Sequence, residues 1–278
     1  MNRMTGLLVI EASNSNPNGN PDQESDPRLR PDNRGMISTV SFKRKLRDLI
    51  EDKEGPVWKI LSEDLRLDAA NFAVLESRGR IRSDIEKEAK EGKFQAKYWD
   101  ARLFGSTFLE KEGGSAINAG VVQFGVGVTV SPVEIERMTT TNKAGVESGK
   151  DRGMAPLAFR VVMHGVYVMP YFVNPTAARK SGCTVQDIEL MKRLIPHAYT
   201  HTASYVRPSV TIRRAWHIEH KNPLGSCPDH LLIDALTPKR MNPADNESPS
   251  LSWSDYTVPD KLHDELLSRV KDCVDLIG

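Results

Sequence analysis

The sequence predicts an α+β fold in the order β-α-β-β-α-β, a ferredoxin-like or RRM-like arrangement. Three observations predict it. The apolar run Leu7-Leu-Val-Ile10, with Glu-Ala-Ser behind it, reads as a first strand, and an amphipathic helix follows over 38–52. Two β-branched stretches, 121–130 and 157–173, come after a helical insertion. A helical stretch at 184–203 then leads into a last strand at 210–218. The chain has 278 residues, 39% of them apolar, which suits one domain carrying insertions.

Taken in order, the loop after the first strand, Asn14-Ser-Asn-Pro-Asn-Gly-Asn-Pro-Asp22, is made of residues that tolerate turns and left-handed backbone. It ends where Ser38 or Thr39 can cap the first helix. At about 100° per residue, Phe42, Leu46, Leu49 and Ile50 share one face of that helix. Lys43, Arg44 and Arg47 share the opposite one, with Lys45 at the border. Segments 56–66 and 84–104 carry helical stripes, Trp58, Leu61 and Leu65 in one and Phe94, Tyr98, Trp99 and Leu103 in the other. They form an insertion at about 53–116. The polar stretch 135–156 separates two strands and reads as a projecting hairpin, with Met138 and Met154 near its ends. Pro196 should kink or divide the helix at 184–203. Beyond the turn Asn222-Pro-Leu-Gly225, a polar linker at 242–255 precedes an expected terminal helix over 262–277.

Net charge is only +1, but the charges segregate. Lys43, Arg44, Lys45 and Arg47 face one anion, Asp48, and Arg207, Arg213, Arg214 and Lys221 face one, Glu219, whereas the tail from 242 onward is acidic. Cys183, Cys227 and Cys273 lack the paired spacing of a zinc site or disulfide framework, which fits a reducing cytoplasm. There is no signal-peptide pattern and no apolar run approaching a membrane span, so a cytoplasmic protein without a membrane partner is expected.

Catalytic motifs are equally sparse. The chain contains no phosphate loop of the G-x-x-x-x-G-K-[ST] or G-x-G-x-x-G kind and no G-x-S-x-G elbow. His197 and His201 have a spacing that can share a metal, but no acidic residue completes the arrangement, and His217 with His220 or Cys227 with His230 are weaker still. Asp22, Asp26 and Asp32 can in principle hold a divalent ion or activate water. Aspartate in such a loop is more often a turn former. The expectation is therefore no catalytic residue, no metal and no cofactor, with a polyanion on the basic helix.

Four motifs in order carry a resemblance: Asn16-Pro-Asn-Gly-Asn-Pro-Asp22, Ser41-Phe-Lys-Arg-Lys-Leu-Arg47, Asp100-Ala-Arg-Leu-Phe-Gly105 and Ile135-Glu-Arg-Met-Thr-Thr-Thr-Asn142. Together they resemble the crRNA-binding backbone subunit of type I CRISPR Cascade, in the RAMP superfamily, and more narrowly its Csd/Csh-type branch. The resemblance implies a single domain over 1–278, an RRM-like palm with a helical finger (about 53–116), a β-hairpin thumb (about 135–156) and a tail (about 240–278). It implies that loop and first helix grip RNA through Asn16, Asn18, Arg34, Ser38, Ser41, Lys43, Arg44, Lys45 and Arg47. The thumb would fold over the strand with Arg137, Met138, Asn142, Arg152 and Met154. Implied partners are crRNA, target DNA, head-to-tail copies of the chain in a helical filament, and other Cascade subunits. Two rival readings stand beside it: a metal-dependent ribonuclease of the related type III backbone kind using Asp22 or Asp26, and a monomeric RNA chaperone.

Overall fold

A computed structural model describes residues 1–77, 81, 83–84, 87–88, 94–105, 120–142 and 155–278, with backbone alone at 141–142 and 155–157. Its centre is strand β1 (Met4–Ser15). Every residue from Thr5 to Ile10 is buried, because both faces of this strand are covered. Leu8 and Ile10 face one apolar layer with Phe42, Leu46, Trp99 and Met191. Leu7 faces a second with Trp216, Leu232 and Leu262, and Val9 a third with Val166 and Tyr256. An uninterrupted Leu-Leu-Val-Ile run is what a strand buried on both sides requires.

Two short strands, β2 (Gly19–Asn20) and β3 (Asp26–Pro27), pair within the loop after β1, and β4 (Met36–Ile37) follows them. Strands β5 (Val122–Phe124), β6 (Gly127–Thr129), β7 (Ile135–Asn142), β8 (Ala155–Val173) and β9 (Val210–Glu219) build the rest of the main body. A small pair, β10 (Lys239–Arg240) with β11 (Tyr256–Thr257), precedes β12 (Asp272–Asp275). The main sheet runs β12-β9-β1-β8-β6-β4, with β5 and β7 also paired to β8, and all of these pairs are antiparallel. The fold is thus mixed α/β around one large antiparallel sheet.

The stretch expected as one strand over 121–130 is two, β5 and β6. Phe124 pairs with Tyr171 but Val128 with Val168, so four steps on one strand meet three on the other. The extra residue falls at Gly125-Val-Gly127 opposite Pro170, which has no N–H to offer a ladder; the Gly125 N–H instead donates to the Pro170 carbonyl at 2.7 Å.

Helix α1 (Thr39–Glu51) starts where the sequence places a cap: the Ser38 side chain accepts from the Ser41 N–H. Helix α2 spans Pro56–Leu65. The helix expected over 84–104 is interrupted at Tyr98, which bridges to Ala73 and separates α3 (Phe94–Lys97) from α4 (Trp99–Phe104). Helix α5 (Pro175–Ser181) is followed by α6 (Val185–Leu194), opened by a Thr184/Asp187 capping box and ended just before Pro196, beyond which only single 3-10 turns continue. The expected terminal helix over 262–277 does not form. A four-residue helix, Asp264–Leu267, gives way to β12, whose Cys273 and Val274 pair with Ile218 and His217 of β9. Edge pairing with a long strand outcompetes a helix that buries only one apolar stripe. No described helix is long and apolar enough to cross a membrane.

Candidate nucleic-acid interface

The loop between β1 and α1 is shaped by its small polar residues. A Cβ at Gly19 would lie 2.8 Å from the Ser25 carbonyl oxygen, so only glycine lets the two limbs of the loop close. Left-handed backbone falls at Asn14, Glu24, Ser25 and Asn33. Asn18 ties the loop to the helix: its Oδ1 accepts from the N–H of the cap residue Ser38 at 2.7 Å.

Asn16 does the same on the other side. Its Nδ2 donates to the Ser25 carbonyl (2.7 Å), its N–H to the Val206 carbonyl (2.7 Å), and its own carbonyl accepts from Arg207 Nε (3.0 Å). Loop and 204–207 turn are thereby clamped together, and Asn16 Oδ1 stays buried with no partner among the described residues.

Against this clamp lies the base of the β7–β8 hairpin. The three pieces enclose a cleft of about 450 Å³ lined by Asn16, Gly19, Ser25, Arg137, Phe159 and Arg207, with Glu24, Asp26 and Arg160 also on its walls. Arg137 and Arg160 are direct cross-strand partners. Like charges directly opposite in a ladder repel. Arg160 is ion-paired with Asp26, while Arg137 is exposed and has no described ion pair. Met138 pairs in register with Phe159, whose ring meets Tyr205 edge-on with centroids 5.2 Å apart.

The basic helix departs from its expected role at several positions. Arg47 is 3% exposed: its Nε donates to Asp100 Oδ2 at 2.8 Å, and a second nitrogen reaches Glu76 at 3.1 Å. Its placement on a free face with Lys43 is corrected, since it belongs to the buried side. Lys45 is also buried, its ammonium 5.2 Å above the Tyr199 ring. Desolvation, reinforced by the Arg207 charge, lowers its pKa to about 8. Arg44 is held by Asp48, Glu51 and the Glu76 carbonyl. Lys43 lies 5.2 Å over the Phe104 ring, and burial followed by the Arg47 charge lowers its pKa. Arg34 is bound to Asp32, to the Val130 carbonyl and to Glu247 of the tail. Ser38 and Ser41 form the cap itself. Asn142 ends β7 opposite Ala155, its side chain not described, and Arg152 and Met154 lie outside the described residues.

The structure therefore gathers Asn16 and Arg137 around one cleft, and adds Phe159, Arg160 and Arg207, which sequence reasoning did not single out as a site; Met138 and Tyr205 neighbour Phe159 without lining the cleft. Arg207 was visible only as part of a local basic excess. Of the histidine pairs, His197 and His201 lie ring to ring at 5.9 Å. His217 is bonded to Tyr171 and His220 to Thr5. Among the described residues no three His, Cys, Asp or Glu side chains converge.

The family model for CRISPR-associated protein Cas7 matches residues 2–260. The chain belongs to that family, of RAMP type. A curated relative described as CRISPR-associated protein Cas7, from Haloferax volcanii, is 26% identical over 216 residues, covering 70% of this chain and 63% of its own length. The chain thus spans less than two thirds of that relative. A solved structure titled "CRISPR RNA-guided surveillance complex, pre-nicking" is 14% identical with a TM-score of 0.47, covering 77% of each chain. A type III-B Cmr-beta structure bound to cognate target RNA is 11% identical with a TM-score of 0.44, covering 78% of this chain and 61% of the other.

Proposed function

We propose that the protein is a non-catalytic, guide-RNA-binding backbone subunit of a type I CRISPR Cascade complex. The observation that carries this reading is the convergence of Arg137, Arg160 and Arg207 on one cleft beside the first loop. Two guanidinium groups set opposite each other repel, only Arg160 has a described carboxylate to balance it, and their planar donor forks suit phosphate oxygens. Contacts of that kind are independent of sequence and leave base edges free for pairing with a target strand.

The strand order β9-β1-β8-β6, with α1 and α6 as crossover helices, supports an RRM-like palm. In this reading the β7–β8 hairpin acts as the thumb and the insertion as the finger. Copies stack head to tail along the guide, which is presented in segments to target DNA alongside the other Cascade subunits. The ion pair between Asp26 and Arg160 supports a shaping role for this aspartate rather than metal binding. Co-expression with a CRISPR array tests the proposal. The chain should purify with protected RNA in a multi-copy assembly, and a nucleic-acid-free monomer would contradict it.

A further inference from the structure

His197 and His201 are both exposed, and their ring centroids lie 5.9 Å apart with the planes at 73°. The backbone beneath them is fixed. Ile195 and Ala198 are fully buried and Tyr199 nearly so, which pins the chain on both sides of His197. The Ala198 N–H donates to the Ile195 carbonyl at 3.1 Å, and Thr202 donates to the Tyr199 carbonyl through its N–H (3.1 Å) and to the Ala198 carbonyl through Oγ1 (2.8 Å). Two rings are thus displayed side by side from a rigid support. Neither has a hydrogen-bond partner among the described residues. The buried histidines differ: His164 is bonded to Glu11 and Ser250, His217 to Tyr171, and His220 to Thr5 and the Ser226 N–H. Burial, followed by the neighbouring His201, holds the His197 pKa below its ordinary value, which keeps a nitrogen lone pair free at neutral pH.

We infer that His197 and His201 together hold one transition-metal dication of the Zn²⁺, Ni²⁺ or Cu²⁺ class, through one nitrogen of each ring. Imidazole nitrogens bind zinc at about 2.0–2.1 Å, which sets the centroids of two rings on one tetrahedral ion about 5 Å apart. The observed 5.9 Å closes to that spacing by small side-chain rotations of two exposed rings. Two protein ligands are fewer than a structural or catalytic zinc centre uses, so water fills the other positions and the ion exchanges readily. Mg²⁺ and Ca²⁺ prefer oxygen ligands and are not bound here. Arg193, four residues before His197, is ion-paired with Asp64 at 3.6 Å, which offsets its repulsion of a cation. Neither histidine lines the arginine cleft, so the site stands independently of the RNA-binding reading.

The test uses the full chain without a histidine tag, titrated calorimetrically with the chlorides of Zn²⁺, Ni²⁺, Cu²⁺, Mg²⁺ and Ca²⁺. Cu²⁺ should bind more tightly than Ni²⁺ or Zn²⁺, and Mg²⁺ and Ca²⁺ should not bind at the same concentrations. His197→Ala and His201→Ala should each weaken Zn²⁺ binding by on the order of 100-fold, the loss of one of two linked ligands. Both rings are exposed, so metal-free melting curves of these variants should match that of the unaltered chain, which separates a lost ligand from a lost fold. His230→Ala, at a single exposed histidine, should leave Zn²⁺ binding unchanged. Electron paramagnetic resonance of the Cu²⁺ form should show coupling to two imidazole nitrogens, and to one in His201→Ala. Unchanged Zn²⁺ affinity in both alanine variants, binding of Mg²⁺ as tight as that of Zn²⁺, or no Zn²⁺ binding by the unaltered chain would each overturn the site.

Discussion

Arg137 and Arg160 stand directly opposite each other across the β7–β8 ladder, and only Arg160 has a described carboxylate partner, Asp26. Asp26 balances one of the two cations and leaves Arg137 uncompensated, so an arriving phosphate finds an open guanidinium and competes with Asp26 for Arg160.

That competition makes a prediction opposite in sign to a catalytic role. Asp26→Asn removes a negative charge from the cleft and releases Arg160, so RNA affinity should rise by about two- to fivefold, the scale of a partly exposed ion pair. Incubation of the assembled complex with complementary RNA and magnesium should give no periodic cleavage. Cleavage that is lost in Asp22→Ala or Asp26→Ala would instead assign the loop to a ribonuclease.

Lys45 should make binding depend on pH. Its folded-state pKa is lowered from 10.5 to about 8 by burial and then by Arg207. A phosphate brought beside it restores the charged form, so binding takes up a proton above pH 8. Affinity should therefore fall as pH rises from 7 to 9.5, and Lys45→Arg should flatten that dependence. The sign for folding runs the other way: the unfolded chain binds the proton more tightly, so the destabilisation is full below pH 8 and is relieved as pH rises toward 10.5. A pH series of binding isotherms, alongside melting curves, measures both.

Arg47 is predicted to matter for stability before it matters for RNA. Asp100 is 1% exposed and accepts from the Leu75 and Glu76 N–H groups as well as from Arg47. Removing Arg47 leaves that carboxylate buried without its cation, at a cost of roughly 3–5 kcal/mol. Arg47→Ala should show a clear loss in denaturant unfolding. Lys43→Ala, whose side chain is half-buried over Phe104, should lose little stability.

The helix start at Ser38 or Thr39, the first strand, the hairpin and the break at Pro196 were legible because each depends on residues close in sequence. Arg47 was misplaced because charge periodicity ranks cations by angle alone. Asp100, which draws Arg47 inward, is 53 residues away on the insertion. The terminal helix failed for a related reason: the spacing of Leu262, Leu266 and Val270 mimics a helical stripe, and the competing partner, β9, is remote in sequence. The same remoteness hid the cleft. Arg137, Arg160 and Arg207 come from three distant segments, and the hydrogen bonds of Asn16 that draw the loop onto the 204–207 turn cannot be read from composition.

The most direct test of the arginine cleft is the salt dependence of guide-RNA binding, measured for the unaltered chain and for Arg137→Ala, Arg160→Ala and Arg207→Ala. Each substitution should weaken binding across unrelated sequences and make the slope of log affinity against log salt shallower by about 0.7, the value for one phosphate on a single strand. Slopes and affinities that match the unaltered chain in all three variants would contradict the account.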